Sequence, residues 1–282
     1  MRTMRYGVYA IAAVVATVLL VASPGMAGRS RVAPPRQARR ATGDARASEE
    51  CAHLRGEAPV SYGALSACAA RLEGRRIEGH QFTQQRAYFA WAAQRPNTST
   101  ICEIGFNAGH SAYTWLRAAG PRLRRLVHFD LGEHAYVAPH HESLRAAFPG
   151  VEMELVLGSS VETVPAFAAA RPEVRCDLLA VDGGHFGEVP LADLQNMRAL
   201  AAPGAWVLMD DINAACPGGF CAAPTAAWRR MEAQGQLVTI QCENYLQHAP
   251  RKPLRGWCVG RYTHVAPSTT QKVTQVIQYL ED

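Results

Sequence analysis

Two stretches of this sequence hold residue types that could do chemistry at close quarters. In CDLLAVDGGH an apolar run ends at Asp182, and 28 residues later GAWVLMDDIN ends a second run at Asp210 and Asp211. If both runs are strands of an open α/β sheet, their tips share the carboxyl edge where ligands bind, and three carboxylates converge there. Hard oxygen donors in that number suit Mg²⁺ or Ca²⁺ rather than zinc. Helix capping is the plainer reading, since Asp-Gly and Asp-Asp are common in loops. The other stretch, ICEIGFNAGHSAYTWL, reads as strand, turn and helix, with Gly105 and Gly109 in the turn. Gly105 would let the chain turn tightly, and Gly109 would let a ligand approach the helix N-terminus. The spacing G-x-x-x-G lacks the middle glycine that a dinucleotide pyrophosphate needs, which disfavours a nicotinamide-dependent oxidoreductase.

The elements that would position these residues alternate along the chain. Short apolar runs at Thr100 to Ile104, Leu126 to Asp130, Glu152 to Leu157, Asp177 to Val181, Ala205 to Met209, Leu237 to Gln241 and Trp257 to Tyr262 read as strands. Helical patterns lie between the first six, at Ser111 to Ala119, His140 to Phe148, Val161 to Ala170, Val189 to Leu200 and Pro224 to Gln234. Two more precede them, at Tyr62 to Leu72 and Phe82 to Gln94. The alternation predicts an α/β fold, a Rossmann-like doubly wound sheet of about seven strands with helices on both faces. The last connection is too short for a crossover helix, so the final strand should run antiparallel.

With that frame in place, E-x-G-x-x-x-G and the wording EIGFNAGHSA resemble the cofactor motif of class I S-adenosylmethionine-dependent methyltransferases, of the methyltransferase-24 type. The resemblance runs from about Phe82 to Tyr262. It implies that Gly105, Phe106, Asn107, Gly109, His110 and Ser111 cradle the methionine part of the cofactor, with Glu103 nearby. It implies further that Asp130, ending LVHFD, accepts hydrogen bonds from the ribose hydroxyls, and that Gly158, Ser159 and Ser160 lie near the adenine. Asp182, Asp210 and Asp211 resemble the metal site of catechol-type and sugar O-methyltransferases, with Mg²⁺ the expected ion. His185 holds the place of the family's catalytic Lys, three residues after the first metal Asp. An imidazole there can take a proton from a hydroxyl, so His185 and Asp182 are the expected catalytic pair. The expected acceptor is a hydroxyl of a small molecule or glycan. The alternatives are an NAD-dependent enzyme on a similar fold and a cofactor-binding domain without catalysis.

Charge argues against nucleic acid as a partner. The chain carries a net +5, but residues 1–46 hold eight arginines against Asp44, so the remainder is net acidic. Residues 6–22 are uncharged and apolar and follow Arg2 and Arg5, which predicts a signal anchor or signal peptide over 1–27. A flexible basic stem over 28–50, a catalytic domain over 51–265 and a helical tail over 266–282 complete the expected layout. A single-pass membrane protein facing the Golgi or ER lumen is the expected location, with secretion after cleavage or a cytosolic orientation as alternatives. Cys51/Cys68, Cys216/Cys221 and Cys242/Cys258 are spaced as candidate disulfides. Cys102 and Cys176 are expected to be buried free thiols. His134, His140 and His141 read as surface loop residues, and Trp115, Trp206 and Trp228 as core.

Overall fold

The computed structural model describes residues 48–74, 81–213, 219–245 and 255–263. Its helices are α1 (Tyr62–Glu73), α2 (Thr83–Ala93), α3 (His110–Ala119), α4 (Val137–Ala147), α5 (Ser160–Ala170), α6 (Val189–Met197) and α7 (Ala222–Ala233). Its strands are β1 (Thr100–Ile104), β2 (Arg125–Asp130), β3 (Glu152–Leu157), β4 (Cys176–Val181), β5 (Ala201–Met209), β6 (Leu237–Asn244) and β7 (Gly256–Tyr262). A short 3₁₀ segment, Glu49–Arg55, precedes α1.

One seven-stranded sheet runs in the order β3-β2-β1-β4-β5-β7-β6, parallel except for β7, which pairs antiparallel with β5 and β6. The central strands are apolar almost throughout because helices cover both faces, as parallel strands require. Alternate residues therefore feed two cores. Ile101, Leu126, Leu178 and Leu208 pack on one side with Phe89 of α2, Trp115 of α3 and Leu144 of α4. Cys102, Val127, Leu179 and Val207 pack on the other with Phe167 of α5, Leu194 of α6 and Trp228 of α7. Local signals set the ends of the helices. Ser61 caps α1 by accepting from the Ala64 amide at 3.1 Å, and Gly74 ends it in the left-handed region that glycine enters without strain.

Three expectations change. Among the described residues no helix is long and apolar enough to cross a membrane, so the single-pass anchor and the lumenal location drawn from it are not supported. The run at 6–22 that prompted them lies outside the described residues, as do most of the stem and the tail expected over 266–282. Cys102 and Cys176 are not free thiols. With Cα atoms 5.8 Å apart they lie within bonding range and form a disulfide. Cys51–Cys68 and Cys242–Cys258 are disulfides as well, and Cys221 is bonded, whereas Cys216 lies outside the described residues. His140 and His141 are buried on α4, not exposed, because the helix packs His140 against His53 and His141 against His128.

Candidate active site

The carboxyl ends of four strands finish on one line. Ile104 of β1 pairs with Phe129 of β2 and Val181 of β4, and Val181 pairs with Met209 of β5. The residues that follow this line, Gly105, Asp130, Asp182 and Asp210, therefore lie at the same edge of the sheet. The Gly105 amide bonds the Phe129 carbonyl at 2.8 Å, the Asp182 amide bonds that of Ile104 at 3.0 Å, and the Asp210 amide bonds that of Val181 at 3.0 Å. These residues open into a cavity of about 500 Å³. Phe106, Asn107, His110, Ser111, Gly158, Ser159, Ser160, His185 and Asp211 line it too. Glu103 and Gly109 do not.

The first turn is held by its own main chain. Gly105 has φ +96°, and a Cβ there would strike the Asp182 carbonyl oxygen, so this glycine allows two strand tips to touch. At Gly109, with φ +80°, a Cβ would meet Leu144 Cδ1 and Phe106 Cζ at 2.9 Å each. Packing under α4 explains that glycine, and the expected ligand approach does not. Asn107 adopts φ +48° with its amide donating to Asp130 Oδ2 at 2.8 Å, while its side-chain oxygen accepts from the Tyr136 hydroxyl at 2.9 Å. Asp130 also accepts from the Gly132 amide at 2.8 Å. The carboxylate thus ties the loops after β1 and β2 together at the cavity wall. Gly158, with φ +129°, donates to the Asp130 carbonyl at 2.9 Å, and the Ser160 hydroxyl donates to Asp193 Oδ1 at 2.6 Å.

Behind that wall lies Glu103. It is fully buried, accepts from the Trp115 indole N–H at 3.2 Å, and is pushed up to about 8 by desolvation. His110 opens α3 with its Nε2 2.8 Å from the Ser66 hydroxyl.

The other end of the cavity is built from side chains. Asp210 accepts from Gln85 Nε2 of α2 and from the Tyr245 hydroxyl at 2.6 Å. Asp211, at φ +55°, accepts from Arg255 Nη1 at 3.0 Å, and its other oxygen lies 3.4 Å from His185 Nδ1. Arg255 sits over the Phe82 ring at 4.8 Å and the Phe220 ring at 5.4 Å. His185 stacks on Phe220 at 3.9 Å between centroids. Burial, then mutual carboxylate repulsion, holds Asp182 and Asp210 well above the usual carboxylate range. Burial raises Asp211 too, against the pull of Arg255 and His185. Burial lowers His185, which favours the neutral ring.

A potential ligand atom from each of Asp182, His185 and Asp211 lies within 4.8 Å of the others. Of the three expected metal aspartates, Asp182 and Asp211 come together there. Asp210 stands aside with one oxygen held by Gln85 and the other by Tyr245, and His185 takes its place. Gln85, Tyr245 and Arg255 were not anticipated. Gln85 left a trace, as a polar residue one helical turn before Phe89 on the buried stripe of α2; Tyr245 and Arg255 flank a stretch without a readable motif.

Residues 102–212 match the model of a family described as a methyltransferase domain. No curated protein matches the chain. Among solved structures, the O-methyltransferase TomG from Streptomyces achromogenes, in complex with S-adenosylmethionine, is 20% identical with a TM-score of 0.54, over 72% of this chain and 89% of its own. The cofactor-bound protein Rv0187 from MTB is 21% identical with a TM-score of 0.55, over 78% and 95%. An O-methyltransferase from Bacillus cereus, in complex with S-adenosylhomocysteine, is 12% identical with a TM-score of 0.54, over 83% and 94%. The sheet order and the strand-tip cavity agree with the match over 102–212, and the chain has the Rossmann-like fold of these methyltransferases.

Proposed function

We propose that the chain transfers a methyl group from S-adenosylmethionine to a hydroxyl oxygen of a small molecule or sugar, assisted by a divalent cation. The observation that carries this reading is one cavity lined both by the Gly105 turn with Asp130 and by the cluster of Asp182, His185 and Asp211. The sulfonium cofactor supplies an activated methyl group to an oxygen held in line with it. In this reading Asp130 receives the ribose hydroxyls, and Leu131, 61% exposed beside it, offers an apolar face to the base. Asp182, His185 and Asp211 would hold the cation. Two mutually repelling carboxylates beside a neutral imidazole are the arrangement a dication relieves, so the residues fit. When bound, the ion would acidify an acceptor hydroxyl. One imidazole with two carboxylates suits Mn²⁺ or a similar borderline ion better than the Mg²⁺ expected of three aspartates. Gln85 and Tyr245 fix Asp210, and the cavity walls orient the acceptor, where most of the rate gain from positioning arises.

The Arg255–Asp211 ion pair favours a second reading without metal. There Asp211 orients His185, whose lowered proton affinity keeps the ring neutral, and His185 takes the hydroxyl proton as general base. Labelled methyl transfer to a panel of phenols and sugars, with chelator and with Mn²⁺ or Mg²⁺ added back, separates the two. Chelation should cut transfer at least about tenfold and added ion should restore it; full activity in chelator would remove the metal reading and leave the base. Calorimetric uptake of NAD in place of S-adenosylmethionine would overturn both.

A further inference from the structure

Away from the cavity, four residues of metal-binding type meet where the 3₁₀ segment and α1 pack against α4. Cys51 and Cys68 are fully buried and joined by a disulfide. His53 is 4% exposed and His140 not at all. Cys68 Sγ and one ring nitrogen from each histidine lie within 4.8 Å of one another, and Cys51 Sγ is bonded to that sulfur. Among the described residues, no group hydrogen-bonds to either ring nitrogen of His53 or to Nε2 of His140. A buried polar group left without a partner costs about 1–3 kcal/mol, and three such atoms on two histidines that meet a buried sulfur call for an explanation.

The tautomer of His140 supplies one. Its Nδ1 lies 2.9 Å from the Ala108 carbonyl oxygen. A carbonyl only accepts, so Nδ1 carries the proton and Nε2 keeps the lone pair free to ligate. An outer hydrogen bond of this kind is how proteins set a metal-ligating histidine. Burial lowers both rings, His140 to about 3, which keeps them in the neutral form that ligates. His53 also lines a cavity of about 830 Å³ between the 3₁₀ segment and α4, which gives an ion a way in.

We propose that, once the Cys51–Cys68 disulfide is reduced, Cys51, His53, Cys68 and His140 bind one zinc-like divalent ion as a Cys₂His₂ site. This corner of the fold is then closed by a disulfide in one redox state and by a metal in the other. Exchange with a dithiol breaks the S–S bond: two electrons pass to the protein, Cys51 and Cys68 become thiols, and the dithiol becomes a disulfide. The ion then displaces one proton from each thiol. Two thiolates and two neutral imidazoles cancel its charge, as a closed structural site requires. The sulfurs must separate to about 3.8 Å, the spacing of two ligands at ~2.3 Å in a tetrahedron. The outer hydrogen bond of His140 ends on Ala108, inside the turn between Gly105 and Gly109, so occupancy bears directly on that turn.

The test is to reduce the full chain with a phosphine, remove the reductant and titrate anaerobically with Co²⁺, in a D182N background that disables the aspartate cluster. The expected result is one equivalent of tetrahedral Co²⁺ with thiolate-to-cobalt charge transfer, displaced by Zn²⁺, absent before reduction, and weakened at least about 100-fold in H140Q and H53Q. Zn²⁺ should also shield Cys51 and Cys68 of the otherwise unsubstituted chain from alkylation, read by peptide mass spectrometry, a measurement that stands even if a histidine variant fails to fold. Reduced protein showing no thiolate–cobalt band, an unchanged affinity in folded H53Q and H140Q, or Cys51 and Cys68 alkylated equally with and without Zn²⁺ would overturn the site.

Discussion

On the Asp130 side of the cavity the wall is main chain; on the side of Asp210 and Asp211 it is polar and charged side chains drawn from remote parts of the sequence. The first end is closed by amide and carbonyl groups of neighbouring turns, with Asp130 accepting two backbone N–H groups. The second depends on Gln85 from α2, Tyr245 after β6 and Arg255 before β7, all meeting aspartates at the tip of β5. Main-chain walls fix a shape that many sequences can keep, whereas side-chain walls can be changed one residue at a time. Under the proposed function the cofactor lies at the first kind of wall and the acceptor at the second.

The contrast can be broken at its stiffest point first. Gly105→Ala puts a Cβ against the Asp182 carbonyl at a φ that alanine resists; destabilisation of about 3 kcal/mol or more is expected, read as a fall of at least ~6 °C in the thermal midpoint. An unchanged midpoint would mean that the two tips do not touch.

Next in size is Asp182→Asn, which should lower methyl transfer about 100-fold and abolish stimulation by added ion while S-adenosylhomocysteine still binds calorimetrically. Equal loss of cofactor affinity would show the two ends to be one site.

Glu103→Gln probes the layer behind the main-chain wall. Between about pH 4.5 and 8 the folded state keeps a proton on Glu103 that the unfolded chain releases, so this group costs stability increasingly as pH rises through that window. The variant should show a flatter dependence of thermal midpoint on pH and a higher midpoint at pH 8. A parallel pair of profiles would remove the buried-carboxyl account.

The smallest effect is expected for Gly109→Ala, where the φ of +80° strains alanine but the obstacles are the side chains of Leu144 and Phe106 rather than backbone. A loss of about 1 kcal/mol, with cofactor binding kept, would set it apart from Gly105.

The frame was legible because apolar runs and turn residues are local. β1 and β3 fall where the runs place them, and the short link to β7 already implied its antiparallel course. The misread boundaries have a common cause. By pattern Pro139 and Pro224 read as lying before and at helix starts, yet proline is tolerated in a first turn, so α4 and α7 begin at Val137 and Ala222. In the site, Asp130, Asp182 and Asp211 could be read because a strand tip with a carboxylate is a local pattern. The diversion of Asp210 towards Gln85 and Tyr245 could not, since partners 125 and 35 residues away leave no spacing to read. The burial of His140 likewise depends on what packs over α4, which periodicity in one helix does not disclose.

The position of β7 between β5 and β6 sets an order in which the molecule can be completed. Strands β1 to β3, with the Gly105 turn and Asp130, precede it by about a hundred residues and can pair among themselves during synthesis. Throughout that time β5 has one open edge and β6 has no neighbour in the sheet, two unpaired templates of the kind that recruit foreign strands. Arrival of β7 closes both edges at once and delivers Arg255 to Asp211. A nascent chain interrupted before residue 255 would therefore keep the β1–β3 half with exposed strand edges, and it is this species that chaperones or proteolysis would have to handle.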